Sequence, residues 1–166
     1  LLRATMLLRT GTSEKEEPLP GNIGLPSFRG AHKPTEIVSG KTGQITPPEA
    51  LRGQKVIAFS GIGSPESFRQ SLAALDADVV SYRDFPDHHP YSCSDIDELR
   101  RIFAKSSASL LITTEKDAVR LADFPDFLAE LYLLKISMEI TPIEQFTKLL
   151  FPALPHQEFL SGNHGS

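Results

Sequence analysis

Lys55-Val56-Ile57-Ala58-Phe59-Ser60-Gly61-Ile62-Gly63-Ser64-Pro65-Glu66-Ser67-Phe68 is the stretch that decides the fold. Its four consecutive apolar residues, Val56 to Phe59, are too few for a helix and show no polar alternation, so they predict a strand buried on both faces. Gly61-Ile62-Gly63 ends that strand. Ser64 can then cap a helix, and Pro65 suits its first position, where a missing N–H has no partner to lose. Phe68, Leu72 and Leu75 continue at i, i+4 and i+7, the apolar stripe of an amphipathic helix.

The same alternation runs on toward the C-terminus. Asp78 to Tyr82 predicts a second strand. Ser94 with Asp97 predicts a helix start, with Ile96, Leu99, Ile102 and Phe103 on one face. Leu110-Leu111-Ile112-Thr113 predicts a third strand, and residues 131–140 contain a fourth. Thr141-Pro142 opens a last helix expected to turn Ile143, Phe146, Leu149 and Leu150 inward. Strands alternating with helices imply right-handed βαβ units. The expected fold class is α/β, a Rossmann-like, mostly parallel sheet with helices on both faces.

Upstream the pattern changes. Residues 1–10 hold a short apolar run from Ala4 to Leu8 that predicts a strand left from a preceding lobe. Residues 11–54 carry Pro18, Pro20, Pro26, Pro34, Pro47 and Pro48 among several glycines. They predict an interdomain connector with one small hairpin, residues 35–39 against 44–46, turned at Gly40-Lys41-Thr42-Gly43. The expected organisation is therefore strand 1–10, connector 11–54, C-terminal α/β domain 55–152 and tail 153–166.

Composition narrows the class. The 166 residues are 40% hydrophobic and 23% charged, which fits a globular chain rather than a disordered or membrane-embedded one. With 17 basic against 21 acidic side chains the net charge is −4, and no basic stripe is present, so nucleic acid is not an expected partner. Cys93 is the single cysteine, which excludes an internal disulfide and a cysteine-rich zinc site. No run approaches the ~20 apolar residues of a membrane span. Leu1-Leu2 is followed at once by Arg3 and lacks the apolar core of a leader. A chain opening on Leu1 rather than methionine is expected to be a fragment.

In parallel sheets, ligands gather beyond the carboxyl ends of the strands. Three loops leave those ends: residues 61–64, 85–91 and 113–117. Phe85-Pro86-Asp87-His88-His89-Pro90-Tyr91 stiffens a carboxylate, two imidazoles and a phenol between two prolines. A carboxylate beside a histidine fixes its tautomer, and a histidine can orient a second carboxylate that accepts a proton. The structural alternative is a polar surface loop that enters a helix. In Thr113-Thr114-Glu115-Lys116-Asp117, hydroxyls, the lysine and the amides of a starting helix could meet a phosphate, or Lys116 and Asp117 could meet a base. Capping by Thr114 with a salt-bridged surface is the alternative there. Gly61-Ile62-Gly63 lacks the third glycine of a dinucleotide fingerprint and predicts a tight turn that lets backbone approach a neighbour. Ser39-Gly40-Lys41-Thr42 imitates the end of a phosphate-binding P-loop. The required earlier glycine is Thr35, however, and neither the buried strand nor the helix of that motif flanks it.

Taken in order, Ala58-Phe59-Ser60-Gly61-Ile62-Gly63-Ser64-Pro65, the loop from Phe85 to Tyr91, and Thr113-Thr114-Glu115-Lys116-Asp117-Ala118-Val119-Arg120-Leu121 resemble the C-terminal half of the tetraacyldisaccharide 4'-kinase family. The resemblance runs over roughly residues 1–152. It implies transfer of the ATP γ-phosphate to the 4'-hydroxyl of a tetraacylated glucosamine disaccharide, a lipid A precursor, at the cytoplasmic face of the bacterial inner membrane. It implies ATP and Mg²⁺ as cofactors, held mostly by an N-terminal P-loop lobe that also contacts the membrane and that this sequence does not contain. His88 would pair with a carboxylate base of that lobe, and Asp87 would share the site. His89, Tyr91, Thr114, Lys116 and Asp117 would contact substrate or nucleotide, and no metal site is implied within these residues. Without the lobe, the portion alone is expected to be inactive.

Two other classes compete. Asp87-His88-His89-Pro90 imitates the signature of DHH-type metal-dependent phosphoesterases, yet a dinuclear site needs further Asp and His ligands. Asp76 and Asp78 flank the wrong end of a strand. A non-catalytic Rossmann-like binding module is the third reading.

Overall fold

The structure, a computed structural model, describes residues 4–10 and 24–151. The connector's residues 11–23 and the tail 153–166 lie outside them. The chain divides into one unit of His32–Met138 and a second of Leu1–Ala31 with Glu139–Ser166.

The larger unit is built on β4 (Lys55–Ser60), whose residues after Lys55 are all buried. Successive side chains of a strand point to opposite faces. Ile57 and Phe59 accordingly enter one core, while Val56 and Ala58 enter the other. β5 (Asp78–Asp84) and β6 (Leu110–Thr114) flank β4 on either side, both parallel to it, and β7 (Tyr132–Thr141) lies parallel to β6. β2 (Ser27–Ser39) follows next to β7, with β3 (Ile45–Thr46) antiparallel to β2. The β2–β7 pairing runs in opposite senses: Gly40 N–H donates to the Leu131 carbonyl at 2.8 Å, while Thr35 Oγ1 donates to the Lys135 carbonyl at 3.3 Å. The sheet is thus mixed and mostly parallel, as expected.

Helices cover both faces. α1 (Pro65–Ala74) packs Phe68 and Leu72 against Val56, Ala58, Ile112 and Leu134. On the opposite face α2 (Cys93–Ala104) supplies Ile96 and Leu99 to a core with Phe59, Leu111 and Leu121. α3 (Glu115–Arg120) and the short α4 (Pro125–Leu128) complete that side. Burying a side chain such as Phe59 or Leu99 contributes about 1.5–3 kcal/mol each, so the two cores hold the strands in register.

Three readings differ from the structure. α2 starts two residues earlier than Ser94 and Asp97 suggest. Ser92 is the cap: its Oγ accepts the Asp95 N–H at 3.3 Å, and Asp95 Oδ2 accepts the Ser92 N–H at 2.8 Å, a reciprocal box. The stretch read as a connector contains a 13-residue strand, β2, and the expected hairpin is its last part, with Ile37 opposite Thr46. Alternating burial of Phe28 and Gly30 marks the strand, which Pro26 before it and Pro34 within it obscured. In the smaller unit, β1 (Leu7–Thr10) pairs parallel with the start of β2. There α5 (Ile143–Leu150) buries none of its residues: Ile143, Leu149 and Leu150 are exposed, and only Phe146 finds a ring, meeting Phe28 edge-on at 5.2 Å. Pattern alone specified an apolar face without saying what covers it.

Candidate active site

β4, β5, β6 and β7 lie in the order β5-β4-β6-β7, so β4 runs on to β5 on one side while its neighbour β6 runs on to β7 on the other. A crevice opens at such a switch point, beyond the strands' carboxyl ends. Here it lies between the ends of β4 and β6, and the three predicted loops converge on it.

Asp117 joins them. It is fully buried, and both carboxylate oxygens are engaged. Oδ1 accepts the Gly61 N–H at 3.0 Å, the Tyr91 hydroxyl at 2.9 Å and the Arg120 guanidinium at 3.1 Å. Oδ2 accepts the Thr114 hydroxyl at 2.6 Å, while the Asp117 N–H donates back to Thr114 Oγ1 at 3.1 Å and caps α3. Thr113 Oγ1, also buried, donates to the Phe59 carbonyl at 2.8 Å. Tyr91 is 7% exposed. Burial, then the negative charge of Asp117 that accepts its hydrogen bond, push the phenol's pKa up, so it stays a donor. Tyr91, Thr114 and Asp117, expected as ligand contacts, therefore use their polar atoms on one another.

The glycines before α1 permit close approach. A Cβ on Gly61 would lie 3.2 Å from the Pro86 carbonyl oxygen and 3.3 Å from both Asp117 Oδ1 and His89 Cβ. A Cβ on Gly63 would lie 3.1 Å from Asp87 Oδ2. The 85–91 loop is thus laid directly over the turn that follows β4.

Within that loop the two histidines differ. His89 is 21% exposed, stacks on Phe85 at 4.7 Å, and sets Nε2 3.1 Å from Asp95 Oδ2. Burial pushes the Asp95 carboxyl up, but hydrogen bonds from Ser92 and His89 outweigh this and hold it below its ordinary value. His89 is thereby tied to the cap of α2. His88 instead projects from the tip, 82% exposed, with a left-handed backbone at φ +59°. A non-glycine residue there is uncommon and is held only where surroundings enforce it. The enforcing bond is His88 N–H to the Gly61 carbonyl at 3.0 Å. His88 Nε2 lies 3.7 Å from Asp87 Oδ2, a half-exposed carboxylate.

Arg120 lies near the end of the Thr113–Leu121 motif, and its sequence context assigns it no role. It donates to Gly61 O, to Asp117 Oδ1 and, across 3.4 Å, to His88 Nδ1. Its place three residues after Asp117 on a helix was the available signal, since such spacing pairs opposite charges.

Lys116 lies apart from this network. It is exposed, with no hydrogen-bond or ion-pair partner among the described residues, and borders a cavity of about 480 Å³. Ile62, Leu134, Ile136 and Met138 give the cavity an apolar floor, and His32, Ser64 and Ser67 give it polar walls. His32 and the β7 residues carried no sequence signal because their strands lie far away along the chain.

The turn at Ser39-Gly40-Lys41-Thr42 has its amides engaged by the protein itself: Gly40 N–H on Leu131 O before β7, and, within the hairpin, Thr42 N–H on Ser39 Oγ and Gly43 N–H on Ser39 O. No cluster of three or more His, Cys, Asp or Glu side chains suited to a metal occurs among the described residues. Among the described residues the donor set for a dinuclear phosphoesterase is not assembled, and the turn that imitates a P-loop already has its amides engaged.

A family model described as tetraacyldisaccharide-1-P 4'-kinase, LpxK, matches residues 1–154. The chain belongs to that family. Among curated tetraacyldisaccharide 4'-kinases, that of Syntrophus aciditrophicus is 36% identical over 125 residues, 75% of this chain and 33% of the relative. That of Anaeromyxobacter sp. is 46% identical over 91 residues, covering 55% of this chain and 24% of the relative. The crystal structure of LpxK from Aquifex aeolicus in complex with ATP superposes with a TM-score of 0.56 and 25% identity, over 91% of this chain and 43% of that one. The chain thus spans a quarter to a third of the length of these curated kinases. No helix among the described residues is long and apolar enough to cross a membrane.

Proposed function

We propose that this chain is the C-terminal portion of a lipid A kinase that transfers the γ-phosphate of ATP to the 4'-hydroxyl of a tetraacylated glucosamine disaccharide. The observation that carries the reading is the family match over residues 1–154, joined to the convergence of its three motifs at one switch point. Phosphoryl transfer is catalysed by positioning and charge neutralisation, with groups converging from more than one element. In this reading the phosphates and Mg²⁺ belong to an N-terminal P-loop lobe, which also meets the inner membrane from the bacterial cytoplasm.

This chain contributes the loop at residues 85–91. His88, exposed at its tip, orients the carboxylate of the other lobe that takes the 4'-hydroxyl proton as that oxygen attacks phosphorus. Asp87 lies beside it, over Gly63. The Asp117 network keeps both at a fixed height above the sheet. Lys116 and the cavity beneath it face the substrate side.

The test is direct. This chain alone, and this chain joined to the N-terminal lobe of a family member, are each given MgATP and the tetraacyldisaccharide 1-phosphate acceptor. The joined protein should form the 4'-phosphorylated product and the chain alone should not. Turnover by the chain alone, or none by a folded joined protein, would overturn the proposal.

A further inference from the structure

Arg120 is 21% exposed, and its guanidinium is fixed by two acceptors of the loop frame, the Gly61 carbonyl and Asp117 Oδ1. The third group it faces is the imidazole of His88, at Nδ1. A guanidinium carries only N–H donors and does not deprotonate in proteins. The ring nitrogen facing it must therefore present its lone pair. In a neutral imidazole the proton then sits on Nε2, the nitrogen on the side of Asp87 Oδ2.

We propose that Arg120 is a positioning residue that holds His88 as its Nε2–H tautomer, so that the ring offers an N–H to an incoming carboxylate. Backbone and side chain are referenced to the same point, because the Gly61 carbonyl accepts both the His88 N–H and the Arg120 Nη1–H. With its lone pair turned to Arg120, the ring is set to hold a proton acceptor rather than to be one. The consequence for catalysis rests on the kinase reading; the tautomer does not.

Nitrogen-15 spectra of the imidazole rings of this chain, at a pH where they are neutral, read the tautomer directly, with His88 assigned from its loss in His88→Gln. The expected wild-type pattern is a pyridine-like Nδ1 and a pyrrole-like Nε2. In Arg120→Lys and Arg120→Gln both should move toward the averaged values of a free imidazole, in which the two tautomers exchange. Arg120→Lys keeps a positive charge beside buried Asp117, so it retains the fold while losing the fork. A protonated Nδ1 in the wild type, or unchanged values in both variants, would overturn the inference and leave the kinase reading intact. In the joined enzyme, loss of positioning should lower kcat about 10- to 100-fold with the acceptor KM changed only a few-fold. Unchanged kcat in both variants would remove Arg120 from the positioning role. Failure of the joined enzyme to act as a kinase would leave the tautomer result standing.

Discussion

Asp117 Oδ1 accepts the Gly61 N–H at 3.0 Å and so ties the start of α3 to the turn after β4, across the crevice between β6 and β4. A fully buried carboxylate is tolerable only when paired and hydrogen-bonded. Here Tyr91, Thr114 and Arg120 complete the pairing.

Asp117→Ala removes the acceptor of the Gly61 N–H and of the Tyr91 and Thr114 hydroxyls, all buried, and leaves Arg120 without its carboxylate. The expected destabilisation is about 3–5 kcal/mol, as for breaking one side of a buried pair. Tyr91→Phe removes one donor and leaves Asp117 its other partners, at about 1–2 kcal/mol. Urea midpoints of the two variants would check the order. An Asp117→Ala variant as stable as Tyr91→Phe would mean the carboxylate is not the junction of the loops.

The two glycines of the β4 turn are expected to respond differently. On Gly61, an alanine methyl meets the Pro86 backbone oxygen at 3.2 Å, together with Asp117 and His89, none of which moves freely. Gly61→Ala should cost about 1–3 kcal/mol, the range for overpacking a tight site. On Gly63 the methyl meets the end of the half-exposed Asp87 side chain, which can swing away. Gly63→Ala should change stability by less than about 0.5 kcal/mol. Thermal melts of the two proteins compare them, and equal losses would contradict the geometry.

This contrast shows where sequence reading succeeds. Val56 to Phe59 read as a doubly buried strand because an apolar run of that length has few other uses, and the alternation after it dictated the parallel sheet. The three motifs then had to emerge at one edge. What remained hidden depended on direction in space. Nothing in Asp87-His88-His89 says which imidazole packs on Phe85 and which projects at φ +59°. Nothing in Thr114-Glu115-Lys116-Asp117 says that Asp117 turns inward to Gly61 while Lys116 stays outside. β2 was obscured by its own Gly30 and Pro34, and the apolar face of α5 was legible although its exposure was not.

Asp95 gives a pH dependence of known sign. Its carboxyl is held below the ordinary 3.8 in the folded chain, so its contribution is present above that value and is lost as pH falls through the lower folded one. The bonds concerned are those from Ser92, which cap α2, and from His89. The stability advantage of the wild type over Asp95→Asn, followed by urea unfolding at stepped pH, should shrink as the solution is taken below 3.8. An advantage that stays constant on acidification would show that the capping box does not depend on the charge.

His88 and His89 separate role from support. In the joined enzyme His88→Ala should lower kcat by about 10²–10⁴-fold, the range for losing a positioned proton-transfer partner. Its melting temperature should barely change, since an 82% exposed ring adds little to packing. His89→Ala removes the ring stacked on Phe85 and the bond to Asp95, so the melt should fall, by about 1–2 kcal/mol in stability. Activity should then recover on cooling below the transition, because the chemistry is intact wherever the loop is folded. Measuring kcat, KM and melting for both variants distinguishes the two outcomes. Near-normal kcat for His88→Ala would take this residue out of the reaction. A melt that falls in step with activity for His88→Ala would reduce it to a packing residue and leave the imidazole at the loop's tip without a chemical role.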